Sequence, residues 1–297
     1  MKKLSFLVSL PTDQNHYQQE QAKAASAAAQ RLGIEVRILY ANNDSVTQSQ
    51  QLLDVILSSS GPRPDGIICQ PAGTGLNQVA SAAVAANIGW AIIRDVDYVG
   101  SLRGKHGVPV FSISVDQEEV GRIQGRQFAK LLPDGGRILY IQGPSTNSNV
   151  QARIKGMHST KPDNVQVGIL RGHFTEQSGY EAVATWLRLA TSRQQTPITL
   201  VAAQNDSMAL GARKAFEHIA RGEERERWSH LRFTGCDGCP GKGQEWVRKG
   251  LLAASIVMPP TTGLALEMFV RSLAGGPLPE ERTIVTPVSY PELEKLS

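Results

Sequence analysis

Hydrogen-bonding side chains recur in this sequence at the points where apolar runs end. Seven such residues follow predicted strands: Asn15, Gln70, Asp95, Asp116, Gln142, Asn205 and Asp237. In open parallel sheets, ligands bind at the carboxyl ends of the strands, where loops from neighbouring units converge. Each residue alone is also explained as a helix cap or a turn former. Their recurrence at one topological position favours a polar ligand site.

The stretch Leu200 to Phe216, "LVAAQNDSMALGARKAF", shows this pattern most clearly. An apolar strand breaks off at Asn205 and Asp206, and a helix-like segment rich in alanine follows. We predict that Asp206 caps this helix through its side-chain oxygen. Asn205 is then free to point into a ligand cleft.

Short apolar runs alternate with helix-like segments along the chain. Ten of them are predicted strands: nine begin at Leu4, Ile34, Gly66, Gly89, Arg137, Val165, Ile198, Leu231 and Leu252, and one, "VFSISVD", ends at Asp116. Several are nearly all apolar, as expected for strands that helices cover on both faces. The alternation predicts an α/β fold of parallel, doubly wound sheets. Because ten strands in one sheet would be unusual, we expect two sheets in two lobes, with a break near Asp116.

Composition and charge exclude several classes of function. The chain has 297 residues, 41% of them hydrophobic, which is enough for two cores. A net charge of +4 is too small a surplus to indicate nucleic acid, and no nucleic-acid-binding signature is present. The densest charged stretch, Arg221 to Arg227, mixes both signs and is expected to be a solvated connection.

Motifs for catalysis and metal binding are weak or missing. The spacing "CDGC" at Cys236 and Cys239 suits redox chemistry or half of a metal site, but the histidines supply no other half. These two residues and Cys69 are more simply interpreted as small buried residues. The motifs GxGxxG after the first strand, GxxxxGK[ST], GxSxG and HExxH are absent. We therefore expect no cofactor, no metal and no catalytic residue. The alternative is acid–base chemistry on a glycoside by two facing carboxylates.

Five segments carry a family resemblance: "VDQEEVGRIQGRQFAKLL", "IQGPSTNSNVQARIKGM", "AAQNDSMALGA", "FTGCDG" and "GLLAASIVMPPTTG". They are similar to the type I periplasmic sugar-binding proteins, above all the ribose-binding branch, which also resembles the effector domain of LacI-type repressors. The resemblance covers nearly the whole chain in order. It implies two Rossmann-like lobes joined by a three-crossing hinge, closing over a small polar ligand, and it implies no catalysis.

The resemblance also implies a ligand shell. Its members here are Asn15, Tyr17, Gln18, Gln70, Asp95, Gln151, Phe174, Asn205, Asp237 and Met258. Asp95 and Asp237 would each accept hydrogen bonds from two hydroxyl groups, while amide groups match a hydroxyl that both donates and accepts. Tyr17 and Phe174 would lie against the apolar faces of a sugar. They also have structural explanations, as a surface tyrosine and as a staple on the following helix.

Three positions depart from the family pattern. Val96 follows Asp95 where the family often has Arg, Gln151 stands at a position that is often Arg, and Met258 stands where the ribose branch has Gln. Plain ribose is therefore not the expected ligand, and another monosaccharide, a polyol or a less polar sugar-like compound fits equally well. Arg153 is interpreted as a structural arm that fixes its loop.

The predicted lobes are residues 1–114 with 259–282 and residues 115–258 with 283–297, with the ligand cleft between them. The predicted function is a solute-binding protein that closes on a monosaccharide or similar polar molecule for an ABC uptake system or chemosensor. Its expected partners are a sugar or polyol and an ABC permease or membrane sensor. We expect a monomer that binds no nucleic acid. The alternative is the sensing domain of a cytoplasmic LacI-like regulator without its DNA-binding headpiece.

The opening stretch "MKKLSFLVSLPTD" is predicted to be a buried first strand. Its apolar part is shorter than a signal peptide requires, and no small-residue cleavage site follows it. The expected location is the periplasm if an export signal has been removed, and the cytoplasm if Met1 is the native start.

Overall fold

The chain divides into two compact units in a computed structural model. The structure describes residues 3–59, 61–104, 106–189, 198–219, 226 and 228–296. One unit contains residues 1–115 and 259–285, and the other contains residues 116–258 and 286–297, so the chain passes between them three times. The charged stretch Arg221 to Arg227, apart from Glu226, lies outside the described residues.

The first unit is built on a six-stranded parallel sheet. Its strands are β1 Ser5–Leu10, β2 Glu35–Tyr40, β3 Gly66–Cys69, β4 Gly89–Ile92, β5 Val110–Val115 and β11 Arg282–Val285. They are ordered β11-β5-β4-β3-β1-β2, and every pair runs parallel. Its helices are α1 His16–Leu32, α2 Ser45–Leu57, α3 Asn77–Ala85, α4 Tyr98–Leu102 and α10 Thr262–Leu273.

Helices cover both faces of this sheet. Residues of α2, α3 and α4 pack with Ile67 and Trp90 on one face, and residues of α1 and α10 pack with Ile68 and Ala91 on the other. Successive residues of a strand point to opposite faces, so a strand buried on both sides has to be apolar throughout. That requirement explains the continuous apolar runs in the sequence.

The second unit has a four-stranded parallel sheet in the order β7-β6-β8-β9 and an antiparallel pair, β10 with β12. These strands are β6 Gly136–Gln142, β7 Val165–Arg171, β8 Ile198–Ala203, β9 Arg232–Thr234, β10 Ser255–Val257 and β12 Val288–Tyr290. Its helices are α5 Gln117–Leu131, α6 Ser148–Thr160, α7 Glu176–Arg188, α8 Asp206–Ile219 and α9 Gly243–Arg248. Isolated parallel bridges from Thr234 to Ala254 and from Asp237 to Val257 place β10 beside the continuation of β9.

Glycines allow α5 and α6 to touch backbone to backbone. A Cβ atom on Gly121 would overlap the carbonyl oxygen of Arg153, and one on Gly156 would overlap that of Glu118. Such a close crossing leaves little room for α6 to shift. The same contact fixes the backbone of Arg153, a residue of the site described below.

The ten predicted strands are all present in the structure, and two more, β11 and β12, were missed. The predicted boundary after residue 282 would cut through β11, whose residues pair with Ser112 to Val115 of β5. The first unit therefore continues to Val285. None of the described helices is long and apolar enough to cross a membrane.

Candidate ligand-binding site

Asn205, which follows β8, caps the next helix, a role that the sequence analysis gave to Asp206. The Oδ1 atom of Asn205 accepts a hydrogen bond from the Met208 backbone N–H at 2.9 Å, so Asn205, not Asp206, caps α8. Its Nδ2 atom donates to the Phe174 carbonyl at 2.9 Å. The prediction that Asp206 is the cap was wrong, because both residues favour caps and the local pattern cannot separate them.

Asp206 instead joins the segment that follows β9 to the start of β10. Its Oδ1 atom accepts a hydrogen bond from the Ser255 hydroxyl at 2.6 Å, and its Oδ2 atom accepts one from the Gly238 N–H at 2.8 Å. A Cβ atom on Gly235 or Gly243 would overlap this carboxylate, which shows how tightly the chain surrounds it. Burial raises the pKa of Asp206 to about 7, despite these two hydrogen bonds.

Asp237 is buried and has hydrogen-bonding capacity to spare. Its backbone is held by bonds to Ile256 and Met258 and has a φ of 110°, an unusual value for a residue with a side chain. Asp237 is only 7% exposed, and its carboxylate accepts no hydrogen bond from any residue that the structure describes. The pKa of Asp237 is well above its ordinary value, first because of burial and then because of the charge of Asp206, although Arg153 opposes the shift.

Arg153 joins three parts of the second unit. Its guanidinium donates from Nε to the Gln117 side chain at 2.8 Å and from Nη1 to the Gln204 carbonyl at 2.6 Å. Its Nη2 atom lies 3.2 Å from the sulfur of Met258. Arg153 is thus the structural arm expected from the sequence, and Met258 is buried against it.

The two other predicted residues of this unit differ in their surroundings. Phe174 has a left-handed backbone, with a φ of 61°, and its ring lies so close to Gly143 that a Cβ atom there would overlap it. The ring also packs partly against the core that contains α7 and α8. Gln151 is exposed, and its side chain donates to the Ser145 carbonyl at 2.8 Å.

In the first unit, the start of α1 carries three of the predicted residues. Asn15 caps this helix, since its Oδ1 atom accepts from the backbone N–H groups of Tyr17 and Gln18 at 2.9 and 3.3 Å. Tyr17 is 9% exposed and donates its hydroxyl to the Pro259 carbonyl at 3.2 Å, so its explanation as a surface tyrosine was wrong. The Oε1 atom of Gln18 is buried and has no hydrogen-bond partner among the described residues.

Gln70 and Asp95 end neighbouring strands of that unit. The Oε1 atom of Gln70 is also buried without a partner in the described part of the chain. Asp95, in contrast, is exposed, and its carboxylate lies 3.2 Å from the guanidinium of Arg282 on β11. The half-buried charged residue at the end of β4 is its neighbour Arg94, which sequence analysis did not single out.

The structure thus brings most of the predicted residues of the second unit together. Asn205, Phe174, Asp237 and Met258 are linked through direct hydrogen bonds or through Arg153, whereas Gln151 stands apart. Sequence analysis missed Gln204, whose side chain accepts from the Gly143 N–H at 3.0 Å and donates to the Val150 carbonyl at 3.2 Å. Its position directly before Asn205 at the end of β8 was the available signal.

The three cysteines are all described, and each is a buried thiol outside any disulfide. Burial raises the pKa of Cys69 and Cys236 to about 12, so these thiols stay protonated at neutral pH. Among the residues that the structure describes, no cluster of three potential ligands could hold a metal ion.

A family comparison now relates this site to known proteins. The family model described as "Periplasmic binding protein domain" matches residues 6–276. The chain belongs to this family.

Two curated relatives are similar to the periplasmic binding protein domain of this chain. One is the putative rhizopine-binding protein of Rhizobium meliloti, 25% identical over 197 residues, which are 64% of this chain and 59% of that protein. The other is the D-apiose import binding protein of Paraburkholderia graminis, 24% identical over 218 residues, which are 72% of this chain and 65% of that protein. The matched region is thus about three fifths of each relative.

Solved structures of low sequence identity have the same fold. An ABC transporter periplasmic solute binding protein from Actinobacillus succinogenes with bound D-allose has a TM-score of 0.83, at 18% identity, with 99% of both chains covered. The Caulobacter myo-inositol binding protein bound to myo-inositol has a TM-score of 0.78, at 19% identity, with 99% of this chain and 96% of that chain covered. None of these comparisons supports the alternative of a LacI-like regulator.

Proposed function

We propose that this protein binds a monosaccharide or a sugar-like polyol as the solute-binding component of an ABC uptake system or chemosensor. The observation that carries the proposal is the carboxylate of Asp237, which is buried and accepts no hydrogen bond from the described residues. A carboxylate in such a poorly exposed residue has little contact with water, so hydrogen bonds from ligand hydroxyl groups would stabilise it.

The neighbours of Asp237 match the remaining features of a sugar. Asn205 uses one N–H and one lone pair within the protein, which leaves one donor and one acceptor site for a hydroxyl group. The ring of Phe174 offers an apolar surface to the C–H face of a sugar ring. The Met258 thioether is a weak acceptor at most, so this side of the site favours a less polar part of the ligand.

We propose that the first unit also supplies polar groups for ligand binding. Asn15, Gln18 and Gln70 would supply amide groups from the first unit, and Gln18 and Gln70 each have a buried amide oxygen to offer. The protein would release its ligand unchanged, without catalysis.

The relatives support a partner and a location for this activity. The D-apiose import binding protein is named for import, and the Actinobacillus protein is described as part of an ABC transporter. We therefore propose that this protein delivers its ligand to an ABC permease or a membrane sensor, that it acts in the periplasm, and that it does so as a monomer.

A thermal-shift screen over pentoses, hexoses and polyols tests the proposal, because a ligand that binds only the folded protein raises its melting temperature. Calorimetry on the responding ligand should give one site per chain. Product formation from the ligand at an enzyme-like rate would contradict the proposal, as would the lack of any response across the screen.

The Asp237→Ala variant tests the site. We expect it to weaken binding of the responding ligand at least tenfold, the equivalent of about 1.4 kcal/mol or one good polar contact. The matched control is Asp134→Ala, which removes an exposed carboxylate from the same unit. Equal affinity in the wild type and in Asp237→Ala would reject the site.

A further inference from the structure

Arg94 lies at the carboxyl edge of the first sheet, beside the end of a neighbouring strand. β3 and β4 pair in parallel as far as Cys69 and Ile92, and the Ile93 N–H extends the pairing by donating to the Cys69 carbonyl at 2.8 Å. Gln70 follows β3 and Arg94 follows Ile93. Both residues therefore emerge at adjacent strand ends, the position at which open parallel sheets bind ligands.

The guanidinium of Arg94 has a single hydrogen-bond partner among the residues that the structure describes. Its Nη1 atom donates to the Gly73 carbonyl at 2.8 Å. An arginine has five N–H donors in a planar fork, so most of the hydrogen-bonding capacity of Arg94 is unused. Arg94 is also half-buried, and burial lowers its pKa, because the charged form loses hydration. An anion beside it would reverse that effect.

The acidic residues closest to Arg94 in sequence do not neutralise it. Asp95 and Asp97 both lie beside Arg282 instead, at 3.2 and 3.1 Å. The titratable groups that interact with Arg94 are Cys69 and Tyr98, and burial raises the pKa of both, so that both are neutral at pH 7. Within the described part of the chain, no carboxylate pairs with the cation at this strand end.

Acceptor groups for hydroxyls lie in the same unit. The Oε1 atoms of Gln18 and Gln70 are buried and lack partners among the described residues. A cation with a free donor fork fits a carboxylate, which it binds bidentately, while amide oxygens fit hydroxyl groups. We propose that the ligand is a sugar acid, an aldonate or a uronate, whose carboxylate binds to Arg94. This inference rests on the proposed function and specifies the charge of the solute.

Matched pairs of ligands test the inference. Each pair is a sugar acid and its neutral parent, for example galacturonate with galactose, glucuronate with glucose, and ribonate with ribose. Calorimetry and thermal shift at low salt should show at least tenfold tighter binding of the acid in one pair. In Arg94→Gln this preference should fall to threefold or less, and Arg94→Lys should retain part of it, because it keeps the charge and loses the fork.

The control variant is Arg282→Gln, which removes an arginine that pairs with exposed carboxylates at the same edge. It should keep the preference for the acid. If Arg94 only holds the loop at Gly73, Arg94→Gln will lower the melting temperature and leave the preference intact, which would overturn the inference. A neutral parent that binds as tightly as its acid would also overturn it, while the proposed function would stand. Failure of all acids and all neutral sugars to bind would reject the proposed function itself.

Discussion

The two units present their strand-end polar groups in different ways. In the second unit, Arg153, Asn205 and Asp206 each make at least two hydrogen bonds within the protein, and the backbone of Asp237 is bonded to Ile256 and Met258. In the first unit, the amide oxygens of Gln18 and Gln70 lack partners among the described residues. The bonded polar groups of the second unit are therefore held in place before a ligand binds. The amide oxygens of Gln18 and Gln70 would gain hydrogen bonds only from a ligand.

The largest expected effect is on the stability of the second unit. Asn205→Ala removes the cap of α8 and the donor to the Phe174 carbonyl, each of which contributes about 1 kcal/mol. We expect the free energy of unfolding to fall by about 2 kcal/mol and ligand affinity to fall at least tenfold. Denaturant unfolding and calorimetry measure the two effects. Gln177→Ala, which removes an exposed amide from the same unit, is the control, and equal unfolding free energies would refute the comparison.

Gln70→Met should show the opposite pattern in the first unit. The substitution removes a buried amide oxygen that has no partner among the described residues, so we expect the free energy of unfolding to stay unchanged or to rise, by at most about 1–3 kcal/mol. Ligand affinity should nevertheless fall about tenfold, the equivalent of about 1.4 kcal/mol. A loss of stability without a loss of affinity would show that the amide is structural.

The carboxylate pair of the second unit predicts a dependence of stability on pH. Folding raises the pKa of Asp206 from its ordinary value of 3.8 to about 7, so the folded state binds more protons between these values. Stability should therefore fall as pH rises through this window and level off above pH 7. Asp237 shifts in the same direction.

Melting temperatures measured from pH 5 to pH 8 check this dependence. Glu118 and Glu245 each lie in a separate ion pair, which lowers their pKa. Their contribution makes stability rise with pH, but only below the ordinary Glu pKa of 4.5. Asp206→Asn should flatten the profile between pH 5 and pH 7. A melting temperature that rises with pH in the wild type over that range would be inconsistent with a buried pair.

The smallest effect is expected at Gln151. Because this residue is exposed and bonds only to the Ser145 carbonyl, Gln151→Ala should change the free energy of unfolding by less than about 0.5 kcal/mol. Its effect on affinity should be the weakest among the predicted site residues, threefold or less. A tenfold loss would mean that Gln151 adopts another position when the ligand binds.

Sequence periodicity predicted the sheets well because buried strands need apolar side chains on both faces. β11 and β12 were missed because they are not buried on both faces and so lack a continuous apolar run. Their residues are partly exposed, and Ile284 and Val288 face solvent. β11 also pairs with β5, which lies about 170 positions earlier in the chain. A four-residue segment with such a distant partner has no local signal.

For the candidate site, the sequence predicted positions better than roles. The strand-end rule located Gln70, Asn205 and Asp237 correctly at the ends of strands. It could not tell Asn205 from Asp206 as the cap, nor Arg94 from Asp95 as the half-buried charge. These choices depend on partners such as Ser255 and Arg282, which are far away in sequence.

The burial of the cysteines has a practical consequence for measuring ligand binding. Cys69, Cys236 and Cys239 are the only cysteines of the chain, and each is at most 3% exposed. A thiol-reactive fluorophore would therefore label a single cysteine introduced on the surface, for example at Gln177, while the native thiols stay in place. Such a labelled protein would test for binding of the proposed ligand in real time while the three native cysteines stay in place.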